Sequence, residues 1–254
     1  MRVQARVVLR RGALEFFACF PGKEHESILR IDAAAEHVYQ ALGLIGLTPG
    51  HPPVWNAAKE ECEPPTGDLV DVAVEWEDRG LVRSADASCW LREVEYGRTP
   101  FPRPWVFGGS VRLEDNSLAA GRSGVGIAVV DFPDCLLCFS RRYSSRQAEL
   151  WVEANTEAIP PAQAAVWLLL RPAAPRELRV ALTPLGVFEL NGRFCTADDL
   201  ADLVGLARQM DSTYVQIVQA GRVLRADVQA ARAALCGAGL PEEAVRFVYE
   251  EAAD

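Results

Sequence analysis

Leu69-Val70-Asp71-Val72-Ala73-Val74-Glu75-Trp76 is the stretch on which the reading of the fold turns. Leu69, Asp71, Ala73 and Glu75 alternate with Val70, Val72, Val74 and Trp76, the pattern of a half-buried β-strand, since successive side chains of an extended chain point to opposite faces. Working outward, short apolar runs punctuated by Gly and Pro continue the same texture. Val3–Leu9 and Ala13–Phe20, separated by Arg10-Arg11-Gly12, predict a β-hairpin or two strands joined by a tight turn. Further strands are expected at Ala87–Val94, Trp105–Leu113, Gly124–Phe132 and Leu136–Phe139. One helix interrupts them: Asp32 is the expected N-cap, Ala35, Val38, Tyr39, Leu42 and Ile45 recur at helical spacing, and Gly46 or Gly50 ends the run before His51-Pro52-Pro53. Asn56–Gly67 is polar and proline-bearing, and reads as a loop.

Between Trp151 and Pro175 the composition shifts to Ala, Pro and Glu, which predicts a linker or bridging helix over 151–175. Beyond it come strands at Leu178–Thr183 and Val187–Leu190, a turn at Asn191-Gly192, a helix at Ala197–Gln209, a strand at Tyr214–Gln219, a helix at Arg225–Gly237 and a strand at Ala244–Tyr249. Thr196 is the natural N-cap of the first of these helices, with Asp198 and Asp199 at its positive end. The expectation is therefore an α+β protein of two domains. Residues 1–150 form a β-rich domain with one main helix, and 176–254 a small β-β-α-β-α-β domain.

Of the 254 residues half are apolar, enough for a packed core, and the formal charge of −9 opposes binding to phosphate backbones. Arg141, Arg142 and Arg146 around Tyr143 are the densest basic group, and three arginines read as a solvated turn or helix start, so no nucleic-acid partner is expected. The seven cysteines are scattered and odd in number, and sit mostly in apolar runs, as buried free thiols do, although one pair could be bridged. No run reaches the length of a membrane helix, and Met1–Phe17 alternates like a strand where a signal peptide would carry an apolar block. The cellular address stays open: periplasm or envelope if a signal has been removed, cytoplasm otherwise.

Four places bear chemistry. Lys23-Glu24-His25-Glu26 could bind a divalent metal or serve acid–base chemistry, with His37 or His51 completing the site; a structural role is the alternative. On an extended chain His25 faces away from Glu24 and Glu26, so a local site requires a turn. Cys135-Leu136-Leu137-Cys138 has CxxC spacing, but its apolar setting and the lack of a second such pair suit a core strand. Gly108-Gly109-Ser110 and Gly121–Gly126 lack the order of a phosphate-binding loop or a nucleophile elbow and read as tight turns. Thr99–Trp105 is a proline-stiffened aromatic loop, and Phe101, Arg103 and Trp105 are its candidate ligand or partner contacts. No catalytic constellation and no cofactor motif emerges.

Two resemblances add to this. Lys23–Ser27, then Ala41-Leu42-Gly43-Leu44-Ile45-Gly46 with Pro49-Gly50, then Val74-Glu75-Trp76, then Trp105–Ser110, resemble in order the YdjY-like bacterial domain over about residues 5–145. That resemblance implies a domain often found in exported proteins, to which no agreed activity is attached. The C-terminal part, with Phe188–Gly192, Val215–Val218 and a helix ending at Ala238-Gly239, looks like the periplasmic domain of ExbD/TolR-type proteins, although the membrane helix of those proteins does not precede it. With no catalytic motif in the chain, the expectation is a non-enzymatic binding or scaffolding protein, and the two resemblances point to a protein or cell-envelope partner. The competing expectations are a metal-dependent function at Glu24, His25, Glu26 and His37, and an interaction module of an envelope complex.

Overall fold

The computed structural model describes residues 1–56, 61–100, 104–139 and 150–173, and further on 178–182, 188–190, 193–194, 215–220, 225–237 and 245–250. The chain divides into two compact units, Met1–Ala173 and Ala174–Asp254.

In the first unit nine strands share one sheet: β1 (Arg2–Val7), β2 (Phe16–Cys19), β3 (Ser27–Ile31), β4 (Leu69–Asp78), β5 (Leu81–Asp86), β6 (Trp105–Val106), β7 (Val125–Ala128), β8 (Leu137–Phe139) and β9 (Ala165–Pro172). Eight of them close on themselves in the order β6-β8-β7-β2-β3-β1-β9-β4, and β4 pairs back to β6. This is a closed eight-stranded barrel, and it corrects the α+β expectation for residues 1–150. The strands β2 and β3 run parallel, as do β7 and β8; the other pairs of the ring are antiparallel.

The long strand β4 makes closure possible because it serves three neighbours. Val70–Trp76 pair with Val166–Pro172 on one edge. On the other edge Leu69 and Val70 meet Val106 and Trp105, while Ala73–Asp78 meet Leu81–Asp86 of β5. The alternation read from sequence holds here: Val70, Val72 and Val74 are buried against the core and Glu75 lies on the outer face with Arg2, its ion-pair partner.

Three local expectations are overturned. The first two strands do not form a hairpin, because β3 lies between them in the ring and takes one edge of each. Period-2 alternation identifies a strand without naming its partner. Residues 151–172 are not linker: Val152–Ala154 pair with Leu91–Glu93, and β9 closes the barrel with Val166, Leu168 and Leu170 inward. The outward Trp167 and Leu169 are apolar too, which hid the alternation. Asp32 does not cap the helix. Its carboxylate takes a fork from Arg6 at 3.0 and 3.2 Å, and α1 (Ala35–Leu44) starts after Ala34 with no side-chain cap.

The core joins the barrel interior to the inner face of α1, where Ala35, Val38 and Leu42 are buried. Aromatic rings fill it: Trp105 lies 6.0 Å from Phe17 and 5.1 Å from Phe139, and Trp90 lies 5.4 Å from Trp76. Such tilted and edge-on pairs add about 0.5–1.5 kcal/mol each beyond the area they bury. A second, short helix, α2 (Ala119–Ser123), ends at Gly124 in the left-handed conformation (φ 82°) and turns the chain into β7.

The second unit contains a five-stranded sheet: β10 (Leu178–Leu182), β11 (Phe188–Leu190), β12 (Arg193–Phe194), β13 (Val215–Ala220) and β14 (Val245–Glu250), in the order β12-β11-β10-β13-β14. The pairs β10–β13 and β13–β14 are parallel, and α3 (Arg225–Gly237) connects β13 to β14. Strand β12 was not expected, so β-β-α-β-α-β is not the order of this unit. The expected helix at Ala197–Gln209, its Thr196 cap and the Asn191-Gly192 turn lie outside the described residues, as do Arg141, Arg142 and Arg146.

Candidate functional site

The segment Lys23–Glu26 has the turn that a local site needs, since Glu24–Glu26 form a single 3₁₀ turn leading into β3. Its charges are mostly satisfied within the segment. The Gly22 N–H donates to Glu24 Oε2 at 2.9 Å and Lys23 Nζ to Glu26 Oε2 at 3.2 Å, and His25 Nε2 lies 3.4 Å from Glu26 Oε1 with its side chain 70% exposed. Backbone N–H groups of Glu24 itself and of Gly22 hold the Glu24 carboxyl below the ordinary range, with Arg30 assisting. Glu15 stands beside this turn, and burial, then the negative charge of Glu26, push its carboxyl upward. His37 is exposed on α1, its N–H spent on Ala34. Among the described residues no three of His, Cys, Asp and Glu converge as metal ligands do.

A cleft of about 300 Å³ opens where α1 begins, bounded by Phe20, Pro21, Arg30, Asp32, Glu36 and Gly121. Its charges are mixed. Arg30 reaches toward Glu24 and Asp32 at 3.8 Å each, and its Nε is buried without a hydrogen-bond partner. Glu36 accepts from the Leu118 N–H at 3.2 Å and so ties α1 to α2.

The aromatic loop divides. Trp105 is a core residue, 2% exposed, and Phe101 and Arg103 lie outside the described residues. Trp55, by contrast, is 63% exposed on a short ribbon formed by Val54–Asn56 and Glu61–Glu63. Of the two glycine-rich stretches, 108–110 is an irregular bend in which Gly109 has φ 81° and the Ser110 hydroxyl accepts from the Ala120 N–H at 3.0 Å, whereas Gly121–Gly126 is not a turn between strands: Gly121 lies in α2 and Gly126 in β7.

The apolar setting predicts a core strand for the cysteine pair; Cys138 lies in β8, Cys135 just before it, and a bond joins them. Cys135 and Cys138 are joined by a disulfide (S–S 2.08 Å), and both are buried among Phe16, Val125 and Ala128. CxxC spacing permits such a bridge, and an apolar setting suits one that is buried and unreactive. Cys19 is free but buried, which pushes its thiol up to about 11 and leaves it a poor nucleophile.

The feature that the sequence reading missed is β5. Asp78-Arg79-Gly80-Leu81 is a two-residue hairpin turn, with Arg79 and Gly80 both at positive φ (51° and 78°), and this dipeptide after an alternating strand is the signal that could have found it. Strand β5 is a spur on the closed ring: one edge pairs with β4, and among the described residues nothing pairs with the other. Residues flanking a two-residue turn exchange hydrogen bonds, so Leu81, Arg83 and Ala85 bond inward while Val82 and Ser84 aim their N–H and C=O groups outward. Leu81 is 59% and Val82 72% exposed.

Fold and site thus define a closed β-barrel carrying a buried CxxC bridge and one spur whose outer edge is unpaired among the described residues, which also hold no convergent set of metal ligands. The YdjY domain matches residues 3–171, and the chain belongs to that family. The match runs beyond the expected residue 145 and takes in most of β9, the strand that completes the ring. Nothing supports the ExbD/TolR resemblance of the C-terminal part. No curated protein and no solved structure matches the chain. Among the described residues no helix is long and apolar enough to cross a membrane.

Proposed function

We propose that this YdjY-domain chain is a non-enzymatic binding protein that takes an extended segment of a partner protein onto the open edge of β5. The observation that carries the reading is the spur itself. Barrel closure removes the hydrogen-bonding edges of a sheet, and here one strand remains outside the ring with an outer edge that nothing among the described residues pairs with, and with two exposed aliphatic side chains. Natural proteins usually blunt such an edge with charged side chains, proline or a bulge; Leu81–Asp86 has no proline and pairs in unbroken register, and of its two charged residues Arg83 lies 3.6 Å from Asp78 of β4. Added strands gain affinity from main-chain hydrogen bonds and specificity from alternate side chains. Glu77 lies opposite Val82 across the hairpin, so the complementary segment brings a basic residue to that face. An envelope partner fits the resemblance to exported domains, and a bridged cysteine pair belongs with an oxidising compartment.

The test places a photo-crosslinking amino acid at Val82 in living cells and maps the adducts by mass spectrometry. A defined partner peptide is expected, lost in Ser84→Pro, which removes one outward N–H and leaves the ladder to β4 intact. No adduct, or adducts indifferent to Ser84→Pro in a folded variant, would overturn the proposal.

A further inference from the structure

Barrel closure depends on its shortest strands. The ring passes from β7 through β8 to β6 and on to β4, and β6 meets β4 by two residue pairs only, Trp105 with Val70 and Val106 with Leu69. The bridge stands beside this seam. Cys138 is a β8 residue, opposite Val106 on one side and Ala128 on the other. The carbonyls of Cys135 and Leu136 accept from the Ser110 and Gly109 N–H groups at 3.0 and 3.1 Å, and the Leu136 N–H donates to Gly126 at 3.0 Å. The chain after β6 is seated on the sulfur: a Cβ placed on Gly108 would lie 2.7 Å from Cys138 Sγ and 3.0 Å from Pro52 Cα. Residues 135–138 therefore hold 106–110 in place, and the bridge holds 135–138 in its turn.

We propose that Cys135 and Cys138 form a redox-controlled clasp on the barrel seam, with the bridged form closing the ring and the dithiol form releasing the 105–110 and 135–139 segments. The step is thiol–disulfide exchange. A reducing dithiol attacks one sulfur, the S–S bond breaks, and the resulting mixed disulfide is resolved by the second thiol of the reductant. The protein gains two electrons and two protons as two thiols, and the reductant leaves as its own disulfide. Both sulfurs are sealed from solvent, Cys135 at 0% and Cys138 at 1% exposure, so exchange passes through an opening of the same seam. Opening and reduction thereby favour each other, which is what makes the pair a switch rather than a passive staple. In the released form the edge of β4 at Leu69–Val70 and the rings of Trp105 and Phe139 become accessible, while β1, β3 and β9 keep their pairing.

The experiment is hydrogen–deuterium exchange on the full-length chain purified under air, before and after treatment with dithiothreitol, with thiol alkylation under denaturing conditions to score the bridge. Cys135 and Cys138 are expected to take up label only after reduction. Exchange across 105–110 and 135–139 then rises by roughly tenfold or more while β1 and β9 are unchanged. Cys135→Ala/Cys138→Ala is expected to show the fast seam with or without reductant. Three results would each overturn the clasp: label on both cysteines before reduction, an unchanged seam after it, or exchange rising throughout the barrel.

Discussion

Trp105→Ala separates a core tryptophan from a ligand-contacting one. The indole is 2% exposed, packs on Phe17 and Phe139, and belongs to the two-residue strand that closes the ring. Truncating a fully buried tryptophan costs about 3–5 kcal/mol from lost transfer energy and the cavity left behind. The expected loss is taken at the middle of that range, about 4 kcal/mol. With a urea slope of about 2 kcal/mol per molar, the unfolding midpoint falls by about 2 M. Tryptophan fluorescence is the right probe, because all six tryptophans lie between Trp55 and Trp167, so the signal reports the barrel unit alone. Trp55→Ala is the control, and with its ring 63% exposed it should move the midpoint by no more than about 0.5 kcal/mol in equivalent stability. A loss below about 1 kcal/mol for Trp105→Ala would refute the placement of that ring in the core and return the Thr99–Trp105 loop to the role of a contact surface.

Two further outcomes follow from the geometry. Gly67 has φ 134°, and an added Cβ would lie 2.1 Å from the Phe107 carbonyl oxygen, a backbone atom unable to rotate away. Gly67→Ala is therefore expected to cost about 3 kcal/mol or more by urea titration, against less than about 1 kcal/mol for Gly43→Ala, where nothing stands within 4 Å. Glu15 has a folded-state pKa raised by burial and by Glu26, so the folded state holds its proton more tightly than the unfolded chain. Its contribution is favourable below the unfolded carboxyl range and is lost as pH rises through the raised folded value. Glu15→Gln should consequently be more stable than the parent at pH 7 and equal to it near pH 4. A variant less stable at pH 7 would show that Lys23 and His25 outweigh burial at that carboxyl.

The elements were more legible than their partners. The alternation of 69–76, the helical spacing of 35–45 and the apolar runs at 125–128 and 137–139 each identify a strand or helix, because side-chain period is a local property of backbone geometry. Barrel closure is not local. Its decisive contacts, 2–6 with 165–169 and 69–70 with 105–106, join residues far apart in the chain, and no pattern within either segment names the other. Strand β9 escaped notice for a related reason: apolar side chains on both of its faces erase the period-2 signal.

At the candidate sites the division is the same. The sequence determined which residues could carry chemistry: a charged turn at 23–26, a CxxC pair, an aromatic loop. Only the tertiary structure decided what each meets. It paired Glu26 with Lys23 and set Glu15 beside it, drew Trp105 into the core, joined Cys135 to Cys138 beside the seam, and left the outer edge of β5 unpaired among the described residues. The physical reason is that composition and spacing set what a segment can do alone, whereas burial and pairing depend on which distant segments arrive beside it.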